Sequence, residues 1–363
     1  MSLTIELLPY LFQFASSILV TGILVNSVFW FGADRVVGVQ KYHVNVVSRL
    51  GGLGIAISIS CGLLFISRYY SNESFLASLL MLAFTPIFFA GLIEDLTHLV
   101  KPRTRLWLAC VSSIAALLVT QAFIIRTDLV PFDALLRIPG VSLLLTVLVV
   151  VGFLNSINII DGFNGVASGS ALIMALAIAM IAYLVDDHLI FRLSLIVSVS
   201  IIGFMFWNWP LGKIFLGDCG AYLLGIWIVE LGILLQYRSS NISPMAPVLI
   251  GAYPMIETLF SIYRRKCVRS HPVSQPDALH LHTLIYRRLI RKHESKLNSV
   301  KVMTPNSKVA IYIWSIVSID CILSIIFYTN TIALTFFIVL NFFAYRKIYM
   351  MIVNFNTPKI LIS

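Results

Sequence analysis

An all-α, polytopic membrane protein with about eleven transmembrane helices, N-terminus outside and C-terminus cytoplasmic, is the fold that three observations predict. Hydrophobic residues fill 59% of the 363 positions and charged residues only 12%, about half the charged share of a soluble domain; mean hydropathy is +0.94. The apolar runs are about 17–25 residues long, the reach of one bilayer-crossing helix, and lack the ten-residue alternation of a membrane barrel. The basic residues are unevenly placed: with the N-terminus outside, 21 of the 26 Lys and Arg fall on the inner side. Only Arg68, Arg126, Arg137, Arg192 and Arg238 are left outside, as the retention of basic loops in the cytoplasm requires. This composition excludes a soluble enzyme, a coiled coil, a disordered chain and a disulfide scaffold.

Each span has its own signal. The first, 7–30, has no preceding Lys or Arg, carries Glu6 and exceeds a signal-peptide core, so it is expected to stay in the chain. The second, 50–68, opens on Gly51-Gly52, and the third, 75–92, runs into Glu94-Asp95. The fourth, 106–125, follows Lys101, Arg103 and Arg105; the fifth, 140–157, runs into an amide-rich segment. The sixth and seventh, 166–185 and 189–207, divide at Asp186, Asp187 and His188. The eighth, 214–236, opens around Asp218, and the ninth is 244–262. A basic inner loop, 263–307, precedes the last two at 308–328 and 331–349. One membrane domain over 1–350 and a cytoplasmic tail, 351–363, follow. The five cysteines form no C-x-x-C pair, so neither a disulfide nor a zinc site is expected.

Acidic residues collect at the inner ends of these spans, where a carboxylate is costly unless paired or coordinated. The most unusual stretch is Asn155-Ser-Ile-Asn158-Ile-Ile-Asp161-Gly162-Phe-Asn164-Gly165. Its polar residues recur every three positions, near one helix face. Amides with a carboxylate both donate and accept, which suits a base or sugar edge; a helix cap and turn is the plainer reading. Adjacent carboxylates at Glu94-Asp95 repel unless a cation or substrate proton intervenes, so the pair suits a metal or a base, or else is a solvated loop. Asp218 lies between glycines in apolar sequence, where a divalent cation would offset its burial; a simple helix cap is the alternative. His280 and His282 sit in the basic loop, able to donate to phosphate or bind metal, but without zinc-hydrolase spacing. Lys41, His43, Arg49, Lys101, Arg103, Arg105, Arg264 and Arg265 are phosphate-contact candidates or inner-face anchors.

In this order the pieces resemble the polyprenyl-phosphate N-acetylhexosamine-1-phosphate transferases, glycosyltransferase family 4, which include WecA-, TagO- and MraY-like enzymes. Gly91-Leu-Ile-Glu94-Asp95 is similar to that family's acidic pair, Asp161 to the first aspartate of its amide-rich element, and Asp218 to its magnesium-holding aspartate. His280 and His282 match the first two histidines of its loop, and Glu257 stands where relatives usually carry aspartate. Three positions depart: Glu94 for Asp, Asn164 for Asp and Thr283 for His.

The resemblance implies transfer of a sugar 1-phosphate from a UDP-N-acetylhexosamine to undecaprenyl phosphate, at the cytoplasmic face of the bacterial inner membrane. It implies Mg²⁺, or Mn²⁺ in its place, at Asp218 and Asp95. Asp95, Glu94, Asp161, His280 and His282 become the catalytic candidates. Asn155, Asn158, Asn164, Lys41, His43, Arg49, Lys101 and Arg264 become the substrate-binding ones. The expected partners are the two substrates and membrane lipid, with no nucleic acid; a homodimer stays open beside a monomer. A transporter or flippase for a lipid-linked or anionic substrate is the competing reading, and a non-catalytic scaffold a third. The 6-deoxy or other identity of the sugar and the polysaccharide pathway stay open, with the departures at Asn164 and Thr283 leaning toward O-antigen (lipopolysaccharide) or exopolysaccharide synthesis.

Overall fold

The computed structural model describes residues 3–26, 33–34, 46–67, 71–268, 279–291 and 304–355. Lys41, His43, Asp277 and His293 lie outside these. Every expected span coincides with helix, in the order α1 Leu3–Asn26, α2 Gly51–Ile66, α3 Ser71–Thr97, α4 Pro102–Thr120, α5 Val130–Leu136, α6 Pro139–Ile160, α7 Val166–Leu184, α8 His188–Asn208 and α9 Gly217–Arg238. Then come α10 Met245–Ile250, α11 Ala252–Tyr263, α12 Leu281–Ile285, α13 Pro305–Ile326 and α14 Thr331–Val353. Among the described residues nine helices are long and apolar enough to cross a membrane, and α2 is a shorter apolar helix.

Three features differ from the expectation. The ninth run is two helices, α10 and α11, joined at Gly251. Pro254 has no N–H to offer the Ile250 carbonyl, which removes the hydrogen bond that would have carried the helix through. The short α5 occupies the connection between α4 and α6, started by Pro131 in its first turn and with Asp133 near its N-terminal amides. Two-residue strands, β1 Ala33–Asp34 and β2 Val47–Ser48, pair antiparallel, and Ser48 bridges on to Ile214.

Helix α9 is the axis of the bundle. Its apolar window is 94% buried against 17% for α14, so α9 is hydrophobic all round because protein surrounds it. It packs on α2, α3, α6 and α7, with Trp227, Leu224, Ile226 and Leu231 in the core. The outward faces of α1, α3, α6 and α14 carry Leu19, Leu82, Leu148 and Phe336 in the open. Such apolar area would be an aggregation liability in water and is the expected surface in lipid.

The polar end of this bundle is built by backbone contact between helix starts. Gly51 and Gly52 donate their N–H groups to the Phe215 and Leu216 carbonyls at 3.1 and 2.9 Å. Two orphan donors of α2 are satisfied thereby, on the carbonyls that lead into α9. The approach is so close that a Cβ on Gly52 would stand 2.1 Å from the Gly220 nitrogen, which only glycine permits.

Candidate active site

The last turn of α3 meets the first turn of α9 through Asp95. Its carboxylate is fully buried and accepts the Asp218 N–H on Oδ1 and the Cys219 N–H on Oδ2, both at 2.9 Å. A carboxylate at a helix N-terminus satisfies orphan amides and the positive end of the dipole together. Gly217 makes this possible: its φ is +76°, and a Cβ would lie 2.1 Å from the Arg49 carbonyl and 2.6 Å from Asp95 Oδ2. Arg49 then places its Nε 3.1 Å from Asp95 Oδ1 and its Nη2 3.2 Å from Asp218 Oδ1. The structure therefore commits Asp95 to holding α3, Arg49 and α9 together. Both of its oxygens accept N–H donors here, a structural role that stands beside the metal-ligand and catalytic roles expected from sequence.

Asp218 is where four elements converge. Besides Arg49, ahead of α2, it receives Arg105 of α4 and Asn158 of α6, whose Nδ2 is 3.2 Å from Oδ1. The two guanidiniums remain about one-fifth exposed, so an anion can reach them. Three residue types meet here for one reason each: the carboxylate fixes both cations, the cations offer planar donors suited to phosphate, and the amide holds the carboxylate on its third side.

Asp161 caps the end of α6 beside this cluster. Among the described residues its carboxyl has no hydrogen bond or ion pair. Burial first, then the neighbouring Asp218 and Asp95, push its pKa up to about 8, against the pull of Arg49. A half-buried carboxyl whose ionisation is opposed by burial and by another carboxylate is the arrangement a hard cation relieves. No three His, Cys, Asp or Glu side chains converge in metal-ligating geometry among the described residues. Mg²⁺ commonly takes one or two protein carboxylates and completes its shell with water and phosphate oxygens. Asp161 fits that demand as it stands, and Asp218, 14% exposed, would trade a guanidinium contact for the ion more readily than the fully buried Asp95.

A pH measurement follows from this. A group whose folded pKa is raised holds its proton more tightly folded than unfolded, so its contribution to stability is present below about pH 4 and is lost as pH rises through about 8. Without divalent cation, the wild-type melting temperature should therefore fall from pH 6 to about pH 9, and Asp161→Asn should flatten that slope. Equal slopes in the two proteins would remove Asp161 from this role.

The histidine loop closes the site from the other side. His280 is buried, with its Nδ1 2.9 Å from Glu257 Oε1, and its ring stacks on His282 at 5.3 Å and 5°. His282 is 2% exposed, and burial, followed by His280, takes its pKa down to about 3. Burial thus favours the neutral ring, which still has one N–H to offer a phosphate oxygen. A Cβ on Gly162 would come 3.0 Å from His282 Nε2, placing the loop directly against the residue after Asp161. Phe163 meets both His282 and Tyr286 edge-on or tilted, at 5.7 and 5.1 Å.

Other candidates hold the frame. Glu94 Oε2 accepts the Val100 N–H at 2.8 Å, closing the turn from α3 to α4. Asn155 donates back to the Val151 carbonyl within α6 at 2.7 Å. Asn164 is buried, donates its backbone N–H to Asn306 Oδ1 and its side-chain amide to the Ser307 hydroxyl, tying the α6–α7 turn to α13. Arg264, 5% exposed, donates to the Leu279 carbonyl and the Tyr349 hydroxyl; it anchors the histidine loop. Lys101 is exposed at the start of α4. Sequence reasoning did not find Tyr345, whose hydroxyl is 2.9 Å from Glu257 Oε2. A tyrosine near the end of an apolar span reads first as an interfacial anchor, and no local signal marks it otherwise.

The fold and site define a multi-pass membrane protein with a guanidinium-rich carboxylate cluster at one end of its bundle. The family model described as glycosyl transferase family 4 matches residues 76–236, which run from α3 to α9. The chain is 32% identical over 268 residues, 73% of each chain, to the probable undecaprenyl-phosphate N-acetylglucosaminyl 1-phosphate transferase of Bacillus subtilis. It is 32% identical over 250 residues, 69% of this chain and 72% of the other, to the undecaprenyl-phosphate alpha-N-acetylglucosaminyl 1-phosphate transferase of Thermotoga maritima. It is 26% identical over 266 residues, 70% of this chain and 82% of the other, to the phospho-N-acetylmuramoyl-pentapeptide-transferase of Lactobacillus johnsonii. The chain belongs to glycosyl transferase family 4, the family its motif order resembles.

Proposed function

We propose that the protein transfers N-acetylhexosamine 1-phosphate from a UDP-N-acetylhexosamine to undecaprenyl phosphate and releases UMP, as the first step of a cell-envelope polysaccharide. The observation that carries this reading is the convergence of Arg49, Arg105 and Asn158 on Asp218 beside the unpaired Asp161. Such a cluster suits a diphosphate at the end of a lipid-embedded bundle, where one substrate is anchored in the membrane and the other arrives from water. The excess of basic residues on that side supports a cytoplasmic-facing site in the inner membrane.

In this reading an oxygen of the acceptor phosphate attacks the β-phosphorus, the bond from that phosphorus to the bridging oxygen breaks, and UMP carries the electron pair away. Two anions must meet, so the first task is neutralisation. Arg49 and Arg105 present their donors to the diphosphate while Asp218 keeps them in place. Asp161 and Asp218 would hold Mg²⁺, or Mn²⁺ in its place, which when bound supplies positive charge to the phosphate oxygens. The second task is alignment of attacking and leaving oxygens, for which the glycine-locked start of α9 gives a rigid floor. Polyprenyl phosphate is already ionised near neutral pH, so direct displacement needs no strong base, and the committed oxygens of Asp95 favour it over a covalent intermediate.

Transport requires a polar path through the spans. The mid-span Asp320 is bonded to Asn341 at 2.8 Å and Glu230 is 3% exposed, whereas the guanidinium cluster lies at helix ends. Purified protein given undecaprenyl phosphate, a panel of UDP-sugars and Mg²⁺ should release UMP and form a lipid heavier by one N-acetylhexosamine phosphate. Substrate uptake into vesicles with no new lipid would overturn the proposal.

A further inference from the structure

Helix α14 is the most lipid-exposed of the long helices, yet two tyrosines near its end are buried: Tyr345 is 3% and Tyr349 5% exposed. Packing alone does not call for their hydroxyls. The Tyr345 hydroxyl meets Glu257 Oε2 at 2.9 Å, and the Leu281 N–H reaches both oxygens of Glu257 at 3.3 and 3.2 Å. Glu257 is completely buried, and a buried carboxylate needs this many donors. The remaining contact is His280 Nδ1 on Oε1 at 2.9 Å. The backbone N–H can only donate, so Glu257 is the acceptor of this group and the imidazole nitrogen facing it is the protonated one. Arg264 braces the same unit by bonding the Leu279 carbonyl and the Tyr349 hydroxyl at 3.0 and 2.9 Å. Phe260 packs edge-on against both tyrosine rings, at 5.3 and 4.8 Å.

We propose that Glu257 and Tyr345 are positioning residues that hold the His280 imidazole in its Nδ1–H form, leaving Nε2 as the nitrogen available to the reacting phosphates. The inference rests on the transferase reading and adds α11 and the last helix to its machinery. The hydrogen bond at one ring nitrogen sets what the other offers. Tyr345 acts one step further out, by fixing the carboxylate that fixes the ring, as outer partners of functional histidines do.

The test uses the whole purified protein and two readouts. Ring ¹⁵N shifts of [¹⁵N]histidine-labelled protein, assigned by difference from His280→Gln, should show Nδ1 protonated and Nε2 unprotonated in the neutral His280 ring. An Nε2–H ring in the wild type overturns the proposal whatever the turnover. In the UMP-release assay, Glu257→Gln should lower kcat by about 10–100-fold while KM for both substrates moves by less than about threefold, and Tyr345→Phe should lose kcat in the same direction to a smaller extent. Unchanged kcat in both variants overturns the positioning role. If Glu257→Gln does not fold, Tyr345→Phe, which removes one hydroxyl, decides. A wild type with the Nδ1–H ring but no turnover on any UDP-sugar overturns the transferase reading and the role with it, leaving only the contact.

Discussion

Replacing Asp218 with asparagine is expected to lower turnover by about 10³-fold in a protein that still folds. The carboxylate is the shared anion of Arg49 and Arg105 and accepts from Asn158 as well. An amide of the same shape presents an N–H to donors that need an acceptor and removes the negative charge that Arg49 and Arg105 share. The substrate phosphates then meet cations that are no longer fixed in place, and Asp161 loses its proposed partner for a cation. Folding survives because Arg49 keeps its pair with Asp95, and because both guanidiniums are partly open to water, where losing an ion pair costs little. UMP release and the melting temperature, read together, check this. Turnover within tenfold of wild type would take Asp218 out of the reaction.

Asp95→Ala is expected to do the reverse and strike folding first. Its side chain is completely buried and accepts the first free N–H groups of the central helix. Removing it strands those donors and takes one of the two carboxylates from Arg49, and breaking a buried pair of this kind costs about 3–5 kcal/mol. Since α9 supports α2, α3, α6 and α7, the loss spreads to the whole bundle. The expected outcome is a sharply lowered melting temperature and an aggregated elution profile in detergent. A variant with wild-type melting and no turnover would show instead that this carboxylate takes part in the chemistry.

These two aspartates show what the sequence could and could not convey. Apolar run length and basic asymmetry are summed over many residues, so helix positions were legible from Glu6 to Tyr349. The groupings that depend on one carboxylate and one backbone were not. Asp95 reads as half of an acidic pair; its role is set by two N–H groups more than 120 positions later, and only the fold supplies them. Asn158, Asp161 and Asp218 were recognisable because amides and acids interrupt apolar sequence at a cost. Asn164 gave the same signal for a different reason, since its contacts serve α13. The break at Gly251 was visible in Pro247, Gly251 and Pro254, but total hydropathy over 244–262 concealed it. Tyr345 carried no sign of its partner, because a hydroxyl on an apolar helix is intelligible only once Glu257 is seen across from it.

The central claim is that one diphosphate site is assembled from the ends of α3 and α6 and the starts of α4 and α9. A cryo-EM map of the protein with a non-reacting UDP-N-acetylhexosamine analogue and Mg²⁺ tests it most directly. The account predicts diphosphate density in contact with Arg49 and Arg105 and a cation against Asp161 and Asp218. Diphosphate density at the opposite end of the bundle, or in the apolar cavity lined by Phe153, Ile233 and Met255, would contradict it.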